Sequence, residues 1–303
     1  DLPEHQVVLD SEGRPKAVVP RPRRDSHRLI EEFMILANVA AAEELETRRR
    51  ACMYRVHDRP DPEKLAALRD FLAELGIPGL ALAKGQVIRP ALFNRILERA
   101  AATPEAAIVN ELVLRAQAQA VYSPRNIGHF GLALPRYAHF TSPIRRYADL
   151  LVHRALVGAA VADEDELGPI GEHISATERR AAAAERAALD RCRAQLMSGA
   201  IGTLYDARIT GVAPFGVFVT LPDSGADGLV PVSTLPSDYY DHDAARHRLV
   251  GRRTGRIFAL GDSVEAMLVE ADVVGGRLIF RIDAGMAAPM RGPPRRGLYR
   301  RRR

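Results

Sequence analysis

Between Gly199 and Gly202 the hydrophobic rhythm of the chain changes, and that change limits the folds open to it more than any other feature. Before it, apolar residues recur every three or four positions, the spacing of one buried helix face. After it they alternate, the spacing of a half-buried strand. From Thr203 onward, TLYDARITGV, FGVFVTL, GLVPVSTL, DSVEAMLVEAD and RLIFRI give five short strands, broken by turns at Pro214 and Asp223–Gly228 and by a longer insertion. Five strands of this length suit a small Greek-key barrel of the OB type. The fold class is therefore α+β, mostly helical first and barrel second, and 303 residues can hold both parts.

Within the first part, Val7–Leu9 and Ala17–Val19 flank Asp10, Ser11, Glu12 and Gly13 and read as a hairpin. A helix capped near Asp25 or Ser26 follows, with Leu29, Phe33, Leu36 and Ala40 as its buried stripe and Glu31 and Glu32 beside that stripe. Acids near a helix start are ordinarily complements to its dipole. A second helix takes Asp61 as cap, Pro62 at its first position, Leu65, Leu68, Leu72 and Leu75 as stripe, and Gly76 as stop. His57 and Asp58, just ahead of it, read as loop chemistry. Further helices begin near Pro90 and at Thr103, Pro104 and Glu105, the latter running through ELVLRAQAQAV, and HFGLAL reads as a strand. The acids of VADEDELG read as a solvated loop, because adjacent side chains cannot all turn toward one ion. A long helix from about Ile170 to Ser198 puts Ala181, Glu185, Leu189, Cys192 and Leu196 on one face, so Glu185 is expected to point inward, where a carboxylate needs a partner or a pocket. Glu178, one heptad earlier, reads as structural.

The net charge of +5 is concentrated in a tail: residues 284–303 hold seven arginines and no acid. Such a tail reads as an arm for nucleic acid or another anionic surface, or as a solvated terminus. Cys52 and Cys192 are the only cysteines, which favours a reducing, cytoplasmic setting without disulfides. No apolar run is long enough to span a bilayer. The chain opens without Met and directly into strand-like sequence, which reads as a piece of a longer protein.

The stretch His139–Arg154, HFTSPIRRYADLLVHR, carries the chemistry. Ser142 suits an N-cap, Pro143 the first helical position, and Arg145 and Arg146 the first turn. Free N–H groups and the helix dipole attract anions there, and a guanidinium adds a forked grip on the same phosphate. The alternative is an amphipathic helix that buries Ile144, Tyr147 and Leu151 and pairs Arg145, Arg146 and Asp149 on its solvent face.

The longer segment HFGLALPRYAHFTSPIRRYADLLVHR resembles the most characteristic stretch of the ribonuclease II and ribonuclease R family of processive exoribonucleases. The resemblance implies that residues 1–200 are the C-terminal half of a ribonuclease II-type catalytic domain, residues 201–283 an OB-fold RNA-binding domain, and residues 284–303 an Arg-rich disordered tail. It implies hydrolysis of RNA from the 3′ end, one nucleotide at a time, to nucleoside 5′-monophosphates. Arg145 would clamp phosphate, Glu31 would help position the terminal ribose, Glu185 would act near the leaving nucleotide, and Ser142, Arg146 and Tyr147 would contact RNA. The family's divalent metal, Mg²⁺, is held by closely spaced aspartates; no such run occurs in residues 1–303, so this chain is expected to contribute no metal ligand and to be inactive alone. GVAPFGVFV and GLVPVS resemble the RNA-binding OB fold first described in ribosomal protein S-one, with Phe215 and Phe218 at stacking positions and core packing as the alternative. The insertion SDYYDHDAARHRLVGRRTGRIF contains Asp241, His242, Asp243 and His247, but nothing in the sequence fixes them in one metal shell; its likeness, with the basic tail, favours the ribonuclease R branch. Arg295, Arg296, Arg300, Arg301, Arg302 and Arg303 are the tail's candidate RNA contacts. The expected partners are single-stranded RNA and structured RNA, with ribosome association through the tail, no membrane, and a monomeric chain. The competing reading is a non-catalytic single-stranded RNA-binding module.

Overall fold

The structure is a computed structural model that describes residues 4–75, 88–103, 106–159, 163–244 and 246–283. In chain order its elements are β1 (His5–Leu9), β2 (Pro15–Pro20), α1 (Asp25–Thr47), β3 (Tyr54–Val56), α2 (Pro62–Leu75), α3 (Pro90–Ala100), α4 (Ala106–Ala116), β4 (Val121–Ser123), α5 (Tyr147–Val157), α6 (Glu164–Met197), β5 (Leu204–Ala213), β6 (Gly216–Leu221), β7 (Ala226–Pro231), β8 (Tyr240–Asp243), β9 (Arg248–Gly251), β10 (Ile257–Ala259), β11 (Ser263–Asp272) and β12 (Arg277–Arg281). They form two compact units. The first runs over Arg21–Ala187; the second joins the hairpin His5–Pro20 to the chain from Ala188 onward.

In the first unit α1 and α5 pack beside the β3–β4 pair, around a core that includes Ala42, Leu45, Cys52, Val56, Ala138, Val152 and Ala155. The stripe expected on α1 is not the one that packs. Leu29, Phe33 and Leu36 are 57%, 60% and 66% exposed, Ala40 is exposed too, and the buried face is Asn38, Ala41, Ala42 and Leu45. Small residues at 41 and 42 suit close approach to neighbouring elements, whereas no element among the described residues covers the larger stripe. On α2 the expected stripe holds: Leu68 and Leu72 are buried, although the Gly76 stop lies outside the described residues. α4 ends at Ala116, and Val121 opens β4 instead of continuing the helix.

HFGLAL is not a strand. Phe130–Leu132 form one 3-10 turn, because the His129 ring accepts the Leu132 N–H and the His57 ring accepts the Gly131 N–H. Local side-chain acceptors here replace a strand ladder. The acids expected in a loop also fall elsewhere: Glu164, Asp165 and Glu166 form the first turn of α6, where Asp163 Oδ1 accepts the Glu166 N–H at 2.9 Å. The helix thus starts six residues earlier than the expected Ile170, since Pro169 costs it only an early hydrogen bond. Residues 178–188 of α6 are exposed on every face, so Glu185 faces solvent and not a core. Apolar periodicity there is carried by alanines, which demand little burial. No helix among the described residues is long and apolar enough to cross a membrane.

The second unit contains a closed five-stranded barrel in the order β11-β12-β7-β6-β5, antiparallel except for the parallel β12–β7 contact. This is the expected OB arrangement. Its interior includes the fully buried Ile209, Val217, Val219, Val230, Leu268 and Phe280. Gly216 begins β6 at φ +154°, and a Cβ there would stand 2.2 Å from the Val230 carbonyl oxygen, so only glycine lets β6 close on β7. The insertion, for which no framework was expected, folds into a three-stranded sheet, β10-β9-β8. Its strands are three and four residues long, too short for alternation to stand out.

Candidate functional site

The segment 137–147 is held from beneath by side chains of several elements. Asn38 of α1 accepts the Phe140 and Thr141 N–H groups on Oδ1 at 2.8 and 3.2 Å, while its Nδ2 donates to Tyr137 Oη at 2.9 Å. His153 of α5 stacks on Phe140 with ring centroids 4.3 Å apart, and its Nε2 lies 2.9 Å from the Phe140 carbonyl oxygen. His139 Nδ1 lies 2.9 Å from Tyr122 Oη. Asp149, 0% exposed, accepts the Ser142 N–H on Oδ1 at 2.7 Å and meets the Arg146 guanidinium twice: Nη2 donates to Oδ1 at 2.8 Å, and Nε lies 2.8 Å from Oδ2.

These bonds change the expected helix start. Ser142 is not the N-cap and Pro143 is not the first helical residue. Instead the Ser142 carbonyl accepts the Arg145 and Arg146 N–H groups, both at 3.2 Å, closing a turn; Arg146, extended, is the N-cap, and α5 begins at Tyr147. Asp149 captures the Ser142 N–H from inside the helix, which stabilises a turn where a first helical turn was expected. The two arginines therefore separate. Arg146 neutralises a buried carboxylate, whereas Arg145 is exposed and has no ion-pair partner among the described residues. The purely structural alternative is corrected as well: Ile144 is fully exposed, Tyr147 is exposed, only Leu151 is buried, and Arg146 pairs with Asp149 inside the protein.

Behind the turn lies a ring-lined interior. His57 stacks on His129, His129 and His139 both meet the Tyr137 ring edge-on, and Arg55 sits 4.6 Å above the Tyr122 ring while forming a forked ion pair with Glu178. Glu178 is structural, as its position implied. Burial, with Arg146 and Arg55 nearby, pushes the His139 imidazole down to about 3; burial, with His57 and Arg55, pushes His129 down to about 4. Both rings are neutral at pH 7.

Glu31 lies on the exposed half of α1 and pairs with Arg23; Glu185 is exposed on α6. No hydrogen bond or ion pair among the described residues joins either acid to the 142–147 turn, which brings together Ser142, Arg145, Arg146 and Tyr147. Nor do any three His, Cys, Asp or Glu side chains among the described residues form a group that could hold a metal ion. In the insertion, Asp241 pairs with Arg252 and Asp243 with Arg246 and Arg248.

The barrel presents its own surface. Val217 and Val219 fill the interior, so Phe218 between them points outward over Gly211, and Phe215 follows from the β5–β6 turn. The two rings meet edge-on at 6.0 Å and are 57% (Phe215) and 41% (Phe218) exposed, which rules out core packing for the pair. Arg295, Arg296 and Arg300–Arg303 lie outside the described residues. Sequence reasoning missed Asn38, which lies on the face of α1 that was not expected to pack, and named Asp149 only as a partner of the arginines on the solvent face; its place among Ala148, Leu151, Val152 and Ala155 was the available signal that it is buried.

Residues 1–161 match the RNB domain family, and residues 199–283 match the S1 RNA binding domain. The ribonuclease R of Aquifex aeolicus is 44% identical over 289 residues, which are 93% of this chain and 41% of that protein; the ribonuclease R of Escherichia coli is 38% identical over 94% of this chain and 37% of its own length. The chain thus spans about two fifths of these curated relatives. Among solved structures, Mycoplasma genitalium RNase R in complex with ribose-methylated single-stranded RNA superposes with a TM-score of 0.85 at 30% identity, covering 93% of this chain and 45% of that one. The same enzyme with double-stranded RNA gives a TM-score of 0.74 at 27% identity.

Proposed function

The chain belongs to the RNB domain family, and on that premise we propose that it supplies the phosphate-gripping and RNA-binding part of a 3′-to-5′ exoribonuclease of the ribonuclease R type. The observation that carries this reading is Arg145, an exposed guanidinium without an ion-pair partner among the described residues, on a turn locked by Asn38 and Asp149. A preorganised cation placed where charge develops on a phosphoryl group lowers the barrier without reorganisation. In the reaction, water attacks the last phosphodiester phosphorus, the bond to the penultimate 3′ oxygen breaks, that oxygen takes a proton, and a nucleoside 5′-monophosphate leaves. Arg145 would grip the scissile phosphate, with Ser142 and Tyr147 beside it and Arg146 holding the turn. Glu31 and Glu185 remain proposed contacts to the terminal ribose and the leaving nucleotide.

The described residues hold no group that fits a metal centre, and Mg²⁺ chemistry belongs, in this reading, to residues outside this chain. Single-stranded RNA and structured RNA are the proposed partners, with ribosome association through the basic tail, and the setting is a monomer in a reducing cytoplasm, a choice supported by two unpaired cysteines. The exposed Phe215–Phe218 pair favours a second reading for the isolated chain, a non-catalytic RNA-binding module.

The test is this polypeptide on 5′-labelled single-stranded RNA with Mg²⁺, beside Arg145→Ala and an EDTA control. Binding that weakens in Arg145→Ala, without shortening of the RNA, supports the two-part reading. Metal-dependent shortening from the 3′ end would show that the chain completes the site by itself. Unchanged binding and unchanged turnover in Arg145→Ala would remove the arginine from the account.

A further inference from the structure

We propose that the β8–β10 sheet carries a second single-strand platform, centred on Tyr239, that takes a nucleobase on its ring and a neighbouring phosphate on Arg253. The inference rests on the reading of the barrel as an RNA surface and extends it beyond the Phe215–Phe218 pair. Tyr239 and Tyr240 are adjacent but differ in role. The Tyr240 ring packs 5.7 Å from Phe258 and its hydroxyl donates to the Pro236 carbonyl at 2.8 Å, so it is structural. Tyr239 is 80% exposed and has no ring partner among the described residues.

Its backbone is nevertheless fixed. The Tyr239 N–H donates to Asp238 Oδ1 at 2.7 Å, and its carbonyl accepts the Arg252 N–H at 2.8 Å. The Asp238 carboxylate also accepts the Arg253 N–H at 3.0 Å and the Thr254 N–H and hydroxyl at 2.8 and 2.5 Å, stapling the 252–255 turn to the start of β8. Arg253 gives Nη2 to the Ser237 carbonyl at 2.7 Å and has no ion-pair partner among the described residues, which leaves four of its five guanidinium donors for a ligand. The result is a rigid bracket presenting one aromatic face and one forked cation.

A protein-docking patch would need contiguous apolar surface. Here the exposed aromatic stands beside Arg252 and Arg253, and the acids of the sheet are already engaged, Asp241 with Arg252 and Asp243 with Arg248. Stacking plus phosphate contact is the chemistry of sequence-tolerant single-strand binding. Reach is compatible. The Val232 N–H donates to the Phe215 carbonyl, and the seven steps from Val232 to Tyr239 span at most about 25 Å. An OB fold covers roughly 4–16 nucleotides, so both aromatic sites fit one strand.

The experiment is fluorescence anisotropy of the full chain with labelled oligouridylates of 4 and 16 nucleotides, using Tyr239→Ala, Tyr239→Phe, Arg253→Ala and Phe215→Ala, with far-UV circular dichroism as the check on folding. Tyr239→Ala is expected to weaken the 16-mer by about 5- to 150-fold, the range for a lost base stack, and to leave the 4-mer much less affected. Tyr239→Phe should bind as the parent does, and Arg253→Ala should lower the slope of log affinity against log salt by about 0.7. If Tyr239→Ala binds the 16-mer normally while Phe215→Ala is weakened, this proposal fails and the barrel reading stands. If the parent chain binds neither RNA, both fail.

Discussion

Removing the Asp149 carboxylate should unlock the turn that presents Arg145, and the cost can be worked from the bonds it makes. The side chain is fully buried, holds the Ser142 N–H and closes two contacts with Arg146. Asp149→Ala strips the Arg146 cation of its counter-charge and orphans a backbone donor. Breaking a buried ion pair by removing one partner costs roughly 3–5 kcal/mol, and Arg146, which retains some contact with water, places the expected value near the lower end. Asp149→Asn keeps an acceptor for Ser142 and loses the charge, so it should cost about half as much, in the range of a hydrogen bond to a charged group, ~1.5–3 kcal/mol. Urea denaturation at pH 7, followed by far-UV circular dichroism, reads both. The double variant Arg146→Ala with Asp149→Ala should cost less than the sum of the single variants, since the two residues share one interaction. The reasoning would be refuted if both Asp149 variants cost under ~1 kcal/mol, or if the double variant were strictly additive.

Three other outcomes follow from the geometry. Gly216→Ala should destabilise the barrel by at least the ~1–3 kcal/mol typical of overpacking, seen as a lowered urea midpoint, because its Cβ would collide with the Val230 carbonyl. His139 and His129 have folded pKa values of about 3 and about 4 against an unfolded 6.5, so between pH 6.5 and those values the unfolded chain binds more protons; stability should be fully present above pH 6.5 and fall on acidification, and His139→Gln should flatten that fall in a pH series of urea midpoints. Phe33→Ser, on the exposed stripe of α1, should change stability by no more than ~0.5 kcal/mol, whereas Leu45→Ala, fully buried, should cost about 2–5 kcal/mol; equal costs in the same urea assay would mean that α1 packs by its other face.

The barrel was legible in the sequence because its strands are five to ten residues long and mostly alternate, apart from the bulges at Ile209–Gly211 and Leu268–Glu270. Val217, Phe218 and Val219 show how far this goes: period two places both valines inside and the phenylalanine outside. The same logic failed on β8, β9 and β10, where three or four residues cannot establish a period and the sheet is secured by Asp238 and by aspartate–arginine pairs. It also failed on α1. Helical spacing shows that Leu29, Phe33 and Leu36 share a side, but not whether anything lies against that side. Asn38, Ala41, Ala42 and Leu45 share a side equally well, and the small Ala41 and Ala42 let α1 approach its neighbours closely.

The candidate site was half legible for a different reason. SPIRR contains the residues of a helix start, and local pattern alone gives Arg145 and Arg146 the same role. What separates them is Asp149, which follows Arg146 by three positions but lies on the inward side of α5 among Ala148, Leu151, Val152 and Ala155. A carboxylate on such a stripe is costly unless satisfied, and the nearest donors able to satisfy it are Arg146 and the Ser142 N–H. Taken together these facts require one arginine to turn inward and the segment ahead of the helix to bend, which leaves the other arginine outside. Asn38 could not be placed this way, because the chain it holds lies about a hundred residues further on and no spacing reports it. Local sequence therefore specifies the cation that meets solvent, while its rigidity depends on a contact that only the fold creates. An Asn38→Ala variant would separate the two, since it should loosen the turn and weaken RNA binding while leaving the charge of Arg145 intact.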